Sequence, residues 1–185
     1  MIKLTRRILA ARKRLFDTLG FFEGGRTELP RDVEEEIERR RLSYRTLNTA
    51  SEIRVVARAI SLGSSYEERI ESGDTFVYLA DGEGRIVSFG WATKREKFWV
   101  SEIGISLKSR GRVVLFDFFT PAEHQMRGYH RILLQTIFSC LSVGQRAVIF
   151  ALKGNVAPWK VYRRIGLKRL SVLGMAIRGE LSLKR

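Results

Sequence analysis

From Thr75 onward the apolar and polar residues alternate with a period of two. "TFVYLA" and "RIVSFGWAT" are rich in β-branched and aromatic residues, and the turn-forming "DGEG" between them predicts a hairpin. "KFWVSEIGIS" and "RVVLFDFF" predict two further strands, the second so continuously apolar that it is expected at the centre of a sheet. The period then lengthens. Ile132, Leu133, Ile137, Phe138 and Leu141 form a stripe on a helix expected to begin near Arg127. "RAVIFAL" reads as a buried strand, "NVAPWKVYRRI" as a short helix closed by Gly166, and "GLKRLSVLGMAIRGEL" as one or two final strands.

Ahead of Thr75 the spacing is helical. Ile53, Val56, Ala57 and Ile60 predict one helix and "SSYEERIES" a second. "GGRTELPRDVEEEIERRR" predicts a turn and a charged helix, with Pro30 near its start and acids in the first turns, where the helix dipole favours them. No internal repeat or low-complexity segment interrupts the pattern. This order of elements argues for an α/β fold, a mixed sheet with helices on both faces. In "MIKLTRRILAARKRLF", residues Ile2, Ile8, Leu9, Leu15 and Phe16 fall loosely on one side of a basic helix. That segment suits an anionic lipid surface, a solvated basic helix packed on the domain, or a transit peptide. Residues 1–45 read as a basic N-terminal helical extension and connector, and residues 46–185 as one domain.

Charge narrows the partners. The 34 Lys and Arg against 20 Asp and Glu give a net charge of +14, which favours a nucleotide cofactor, a polyanion or an acidic membrane. Cys140 is the single cysteine, so an intrachain disulfide is excluded, and two His leave no Cys/His set for zinc. Its place along an apolar helix face predicts an inert core thiol. Apolar runs such as "AVIFAL" fall far short of the roughly 18 to 20 residues of a membrane span, and no signal-peptide pattern opens the chain. The expectation is a cytoplasmic protein, soluble or membrane-peripheral.

Two stretches carry candidate chemistry. In "QMRGYH", successive amides from Gln125 to His130 at a helix N-terminus could cradle a diphosphate. Arg127 and Arg131 would add charge, and Gly128 would allow close approach. A plain turn flanked by arginines explains this motif alone equally well. In "NVAPWKVYRRIGL", Asn155 suits a helix cap, and Tyr162, seven residues on, shares its face. Capping accounts for Asn155 completely, and a core position is a common fate for a tyrosine.

Together the two stretches resemble the GNAT acyltransferase superfamily, whose loop pattern is Gln or Arg, two residues, Gly, one residue, then Gly or Ala. Gln125 and Gly128 match, whereas His130 stands where the second small residue is expected. "DFFTPAEHQMRG" is also similar to GNAT proteins linked to polysaccharide biosynthesis, with Thr120 in a Val place and Pro121 one residue early. The resemblance covers Thr75 to Leu173 and extends to the two helices before it, not to the basic N-terminal segment, and implies a GNAT-like mixed, twisted sheet with a splayed strand pair at the cofactor site. It implies acetyl-CoA as acyl donor, held by Phe118, Phe119, Thr120, Gln125, Met126, Arg127, Gly128, Tyr129, His130 and Asn155, with no metal. Tyr162 would protonate the departing thiolate.

Direct transfer to an amine in a ternary complex rests on juxtaposition, to which a positioned acid or base adds roughly 10²–10⁴-fold. Asp117, interrupting an apolar strand, is the first candidate base, followed by Glu102; Glu123 lies nearby. A carboxylate buried at Asp117 would need a partner or a raised pKa. His124 and His130 titrate in a useful range but suit binding more than catalysis beside a phosphate loop. The positive charge disfavours Lys-rich acceptors and favours a small neutral or anionic amine such as an amino sugar. Nucleic acid is a disfavoured partner of the enzyme, contact of the N-terminal segment with anionic membrane is compatible with it, and a homodimer is open. The competing class is a non-catalytic GNAT-like module whose basic surface, including "KVYRRIGLKRL", binds RNA or anionic membrane.

Overall fold

The strands are β1 (Leu19–Gly25), β2 (Ser43–Leu47), β3 (Thr75–Ala80), β4 (Ile86–Thr93), β5 (Lys97–Val100), β6 (Ile105–Lys108), β7 (Val113–Phe119), β8 (Arg146–Leu152), β9 (Lys168–Leu170) and β10 (Leu181–Leu183). The helices are α1 (Arg31–Arg39), α2 (Ala50–Ala59), α3 (Tyr66–Glu71), α4 (Tyr129–Ser139), α5 (Val156–Arg164) and α6 (Val172–Ile177). The structure, a computed structural model, describes residues 19–60, 66–101 and 104–183. The basic N-terminal segment expected to be helical lies outside them. The α/β class is observed: a mixed seven-stranded sheet has the order β2-β3-β4-β7-β8-β1-β9, and β10-β6-β5 form a second, three-stranded sheet. The central position expected for "RVVLFDFF" is met by β7, fourth of the seven. Among the described residues no helix is long and apolar enough to cross a membrane.

The chain divides into two units, each built from several segments. Unit 1 takes the segment ending at Gly24, Arg95–Val114 and Arg146–Arg185; unit 2 takes Gly25–Lys94 and Leu115–Gln145. In unit 2 the expected hairpin is antiparallel and pairs Phe76 with Trp91 and Tyr78 with Phe89. Phe76 packs on the rings of Phe89 and Trp91 at 5.5 and 5.1 Å, so the cross-strand aromatics that predict the hairpin also build its core. The stripe on α4 is buried as expected, each large side chain contributing roughly 1.5–3 kcal/mol. Helix α2 begins where Thr49 Oγ1 accepts from the Glu52 amide at 3.4 Å.

Unit 1 buries Leu19, Phe21 and Phe22 of β1. A Cβ on Gly20 would stand 2.2 Å from the Trp159 ring, so the missing side chain is what admits the indole. A charged cluster lies beside this apolar core. Arg112 bridges two buried carboxylates, donating Nε to Glu23 at 2.6 Å and Nη1 to Glu180 at 3.2 Å. Arg146 donates to Glu23 at 2.7 Å and Arg178 to Glu180 at 2.5 Å. Burial alone would raise the Glu23 carboxyl, but hydrogen bonds from Arg146 and Arg112 and their charge outweigh it and hold it below its usual value. Glu180 is lowered in the same way, with Arg178 donating and Arg112 adding charge.

Several expectations are corrected. Strands β1 and β2 precede Thr75, and the expected boundary after residue 45 falls inside β2, whose Arg45 and Thr46 face Tyr78 and Val77 of β3. "KFWVSEIGIS" is two strands, not one: β5 and β6 pair antiparallel, with Gly104 at φ +64° just before β6. The final stretch holds α6 between β9 and β10, because Ser171 Oγ accepts from the Gly174 amide at 3.2 Å and starts a helix. Cys140 is exposed at the C-cap of α4 rather than buried on its face.

Candidate functional site

In unit 2, β7 is buried through Phe116 and then changes character at Asp117, which has φ +48°. A left-handed residue inside a strand breaks the alternation, and Asp tolerates that conformation better than branched residues do. Asp117 is consequently exposed and forms an ion pair with Arg69 of α3. The Arg69 guanidinium in turn lies over Trp91 and Phe116, 5.1 and 5.4 Å from their ring centres. Arg69 is therefore the partner of an exposed carboxylate, not a compensation for a buried one.

The next side chains are set by β4 and α4. A Cβ on Gly90 would come within 2.6 Å of the Phe118 ring, so Phe118 lies directly on the β4 backbone. Its other neighbour is His130, edge to face at 5.5 Å. Phe119 packs on Phe89 at 5.5 Å but stays 54% exposed. Ser88 Oγ donates to the Phe119 carbonyl at 3.3 Å and lies 3.1 Å from Thr120 Oγ1.

From Thr120 the chain enters the loop that leads to α4. Gln125 Nε2 donates back to the Thr120 carbonyl at 3.2 Å, and a single 3₁₀ turn covers Ala122–His124. His124 is buried and meets Tyr129 edge to face at 5.9 Å, while its Nδ1 has no hydrogen-bond partner among the described residues. Met126 is fully exposed at φ +59°. Arg40 Nη1 donates to the Arg127 carbonyl at 2.7 Å, and its guanidinium lies 5.3 Å from the centre of the Tyr129 ring. Helix α4 starts at Tyr129, two residues later than expected, with Gly128 as N-cap at φ +80°.

No side chain caps α4, so the amides of its first turn lack an intrahelical partner, and a Cβ built on Gly128 would meet nothing within 4 Å. Exposed Arg127 adjoins these amides, while Arg131 is bound to Asp32 at 2.9 Å. Burial lowers the His130 imidazole to about 4, so it is neutral at pH 7 and outside the titration range expected for it. The chemistry on offer is anion binding by backbone and helix dipole with one exposed guanidinium. Among the described residues no group of three or more His, Cys, Asp and Glu is arranged to hold a metal ion.

In unit 1, Asn155 occupies the N-cap of α5 as expected but makes no side-chain capping bond and is exposed. Tyr162 is buried, 5.2 Å from Phe22 edge to face, and burial pushes its hydroxyl well up. Gly166 ends the helix at φ +79°, letting the Leu167 amide donate to the Tyr162 carbonyl at 2.9 Å. Glu102 lies outside the described residues, and Glu123 is exposed. The structure thus gathers Asp117, Phe118, Phe119, Thr120 and Gln125 to His130 around one strand end and loop of unit 2. Arg40, Arg69 and Gly90 were not anticipated. A glycine inside the alternating "SFGWAT" is a signal of close backbone approach, whereas nothing in "ERRR" distinguishes Arg40 from its neighbours.

No family model and no curated protein matches the chain. Among solved structures, a functionally unknown conserved protein from Staphylococcus epidermidis is similar at 14% identity and TM-score 0.49. The match covers 83% of this chain and 57% of that one.

Proposed function

We propose that the protein is an acetyl-CoA-dependent N-acetyltransferase, acting by direct transfer in a ternary complex on a small neutral or anionic amine such as an amino sugar. The observation that carries this reading is the start of α4: an uncapped N-terminus, a left-handed Gly128 with open space over its Cα, and exposed Arg127 beside it. Those features suit the diphosphate of coenzyme A. The pantetheine arm would run along β7 near Phe118 to Thr120, as the GNAT arrangement expects.

In the reaction the acceptor nitrogen forms a bond to the thioester carbonyl carbon, the carbon–sulfur bond breaks, and sulfur leaves as thiolate. The nitrogen must lose a proton and the sulfur must be stabilised. Tyr162 is the residue that the GNAT resemblance would make the proton donor to the thiolate; burial within unit 1 raises its hydroxyl and keeps it protonated at neutral pH. Asp117 is the candidate for the nitrogen proton, with Arg69 fixing its orientation. Calorimetric titration with acetyl-CoA, with ATP as a polyanion control, tests the reading. One-to-one binding of acetyl-CoA and much weaker binding of ATP is expected; no binding, or equal binding of ATP, would overturn it.

A further inference from the structure

We propose that the exposed face of α5, together with β9, docks on an anionic lipid bilayer. This does not rest on the acyl-transfer reading. Charge is distributed very unevenly: among the described residues unit 1 carries 13 Lys and Arg against 3 Asp and Glu, and unit 2 carries 13 against 15. Residues 147–179 contain no acid at all. Of the three acids in unit 1, Glu23 and Glu180 are buried and already paired with Arg112, Arg146 and Arg178. The cations of α5 and β9, Lys160, Arg163, Arg164, Lys168 and Arg169, are not among the partners of these two carboxylates.

The geometry concentrates those cations. Lys160, Arg163 and Arg164 recur at helical spacing on α5 and, with Val156 one turn earlier, occupy one exposed side away from buried Tyr162. Arg163 and Arg169 stand over the Trp159 ring at 5.9 and 4.9 Å, which brings the cations of β9 to the same patch. Trp159 Nε1 donates to the Leu152 carbonyl at 3.0 Å and holds that residue alongside.

Two features favour lipid over nucleic acid. Leu152 and Val156 are 42% and 56% exposed among the cations, and aliphatic side chains gain by entering a headgroup layer whose negative charge attracts Lys and Arg. Single-stranded nucleic acid instead needs open aromatic faces for stacking. The aromatic ring of this patch, Trp159, is covered by Arg163 and Arg169 and packed against Gly20 and Phe22.

The full-length protein would be sedimented with vesicles of phosphatidylcholine alone and of phosphatidylcholine with phosphatidylserine. Partition onto the anionic vesicles is expected to be about tenfold stronger or more, falling with salt. The combined Lys160→Glu, Arg163→Glu and Arg164→Glu variant should fall to the neutral-vesicle level, and Val156→Ser should weaken binding about threefold with charge unchanged. If the reversal variant proves unfolded by circular dichroism, the corresponding Gln substitutions serve, with a smaller loss expected. Equal partition onto both vesicles, or binding retained by the charge variants, would overturn the proposal. So would a mixed-sequence single-stranded RNA that displaces the protein from vesicles while Val156→Ser behaves as wild type.

Discussion

Gly128 adopts φ +80° with nothing over its Cα, so two substitutions there separate backbone strain from occlusion. Gly128→Ala and Gly128→Glu share a cost of about 1–2 kcal/mol for an L residue in the left-handed region, measurable by urea unfolding. The proposed donor site predicts that Glu abolishes acetyl-CoA binding through bulk and charge while Ala retains most of it; equal losses in titration would sink that assignment. For Tyr162→Phe the expectation is turnover lower by about 10²-fold with donor affinity unchanged, and full turnover would require another proton source. At this scale residue type was more legible than environment. Gly128 stands out in the sequence because few residues adopt its backbone conformation, whereas Tyr162 suited a core position equally well and is buried. The exposure of Asp117 depends on one left-handed dihedral, and the neutrality of His130 on burial, and neither is written in local spacing.

Strands β3, β4, β7 and β8 were legible from their buried apolar runs, helix α4 from its buried stripe, and α5 from Asn155 and Gly166 at its two ends. Strand β2 was not, since its five residues are half-buried or exposed and alternate weakly. The turn between β5 and β6 was hidden because the apolar positions shift by one across Ser101 and Glu102 with no Pro or Gly pair to mark a reversal. Contact between elements is equally hard to foresee: Phe118 rests on β4 because Gly90 leaves room. Gly90→Ala is expected to destabilise by about 1–3 kcal/mol through overpacking. Adding Phe118→Leu should restore part of that loss, so the two changes will not be additive in a double-mutant cycle by chemical denaturation.

Across the whole molecule, acid should act in two windows. His130 has a folded pKa of about 4 against 6.5 for the free side chain, so on acidification the unfolded state takes up its proton first, and stability begins to fall below about pH 6.5. Glu23 and Glu180, held below 4.5, contribute stability that is present above their unfolded pKa and is lost as pH falls through their folded values. Unfolding free energy measured against pH should therefore lose its upper slope in His130→Gln while keeping the lower one. Arg112→Met, which strips a cation from both carboxylates, is expected to cost about 3 kcal/mol at pH 7 in urea unfolding. One feature of the sheet bears on how the chain is made. Phe21 of β1 faces Leu170 of β9, 149 residues later, and β8, its other neighbour in the sheet, also comes late. Until β8 and β9 have been made, Phe21 and Phe22 therefore have no neighbouring strands, and this part of unit 1 can close only after synthesis has passed β9. A stalled or shortened nascent chain would present that aromatic segment to chaperones.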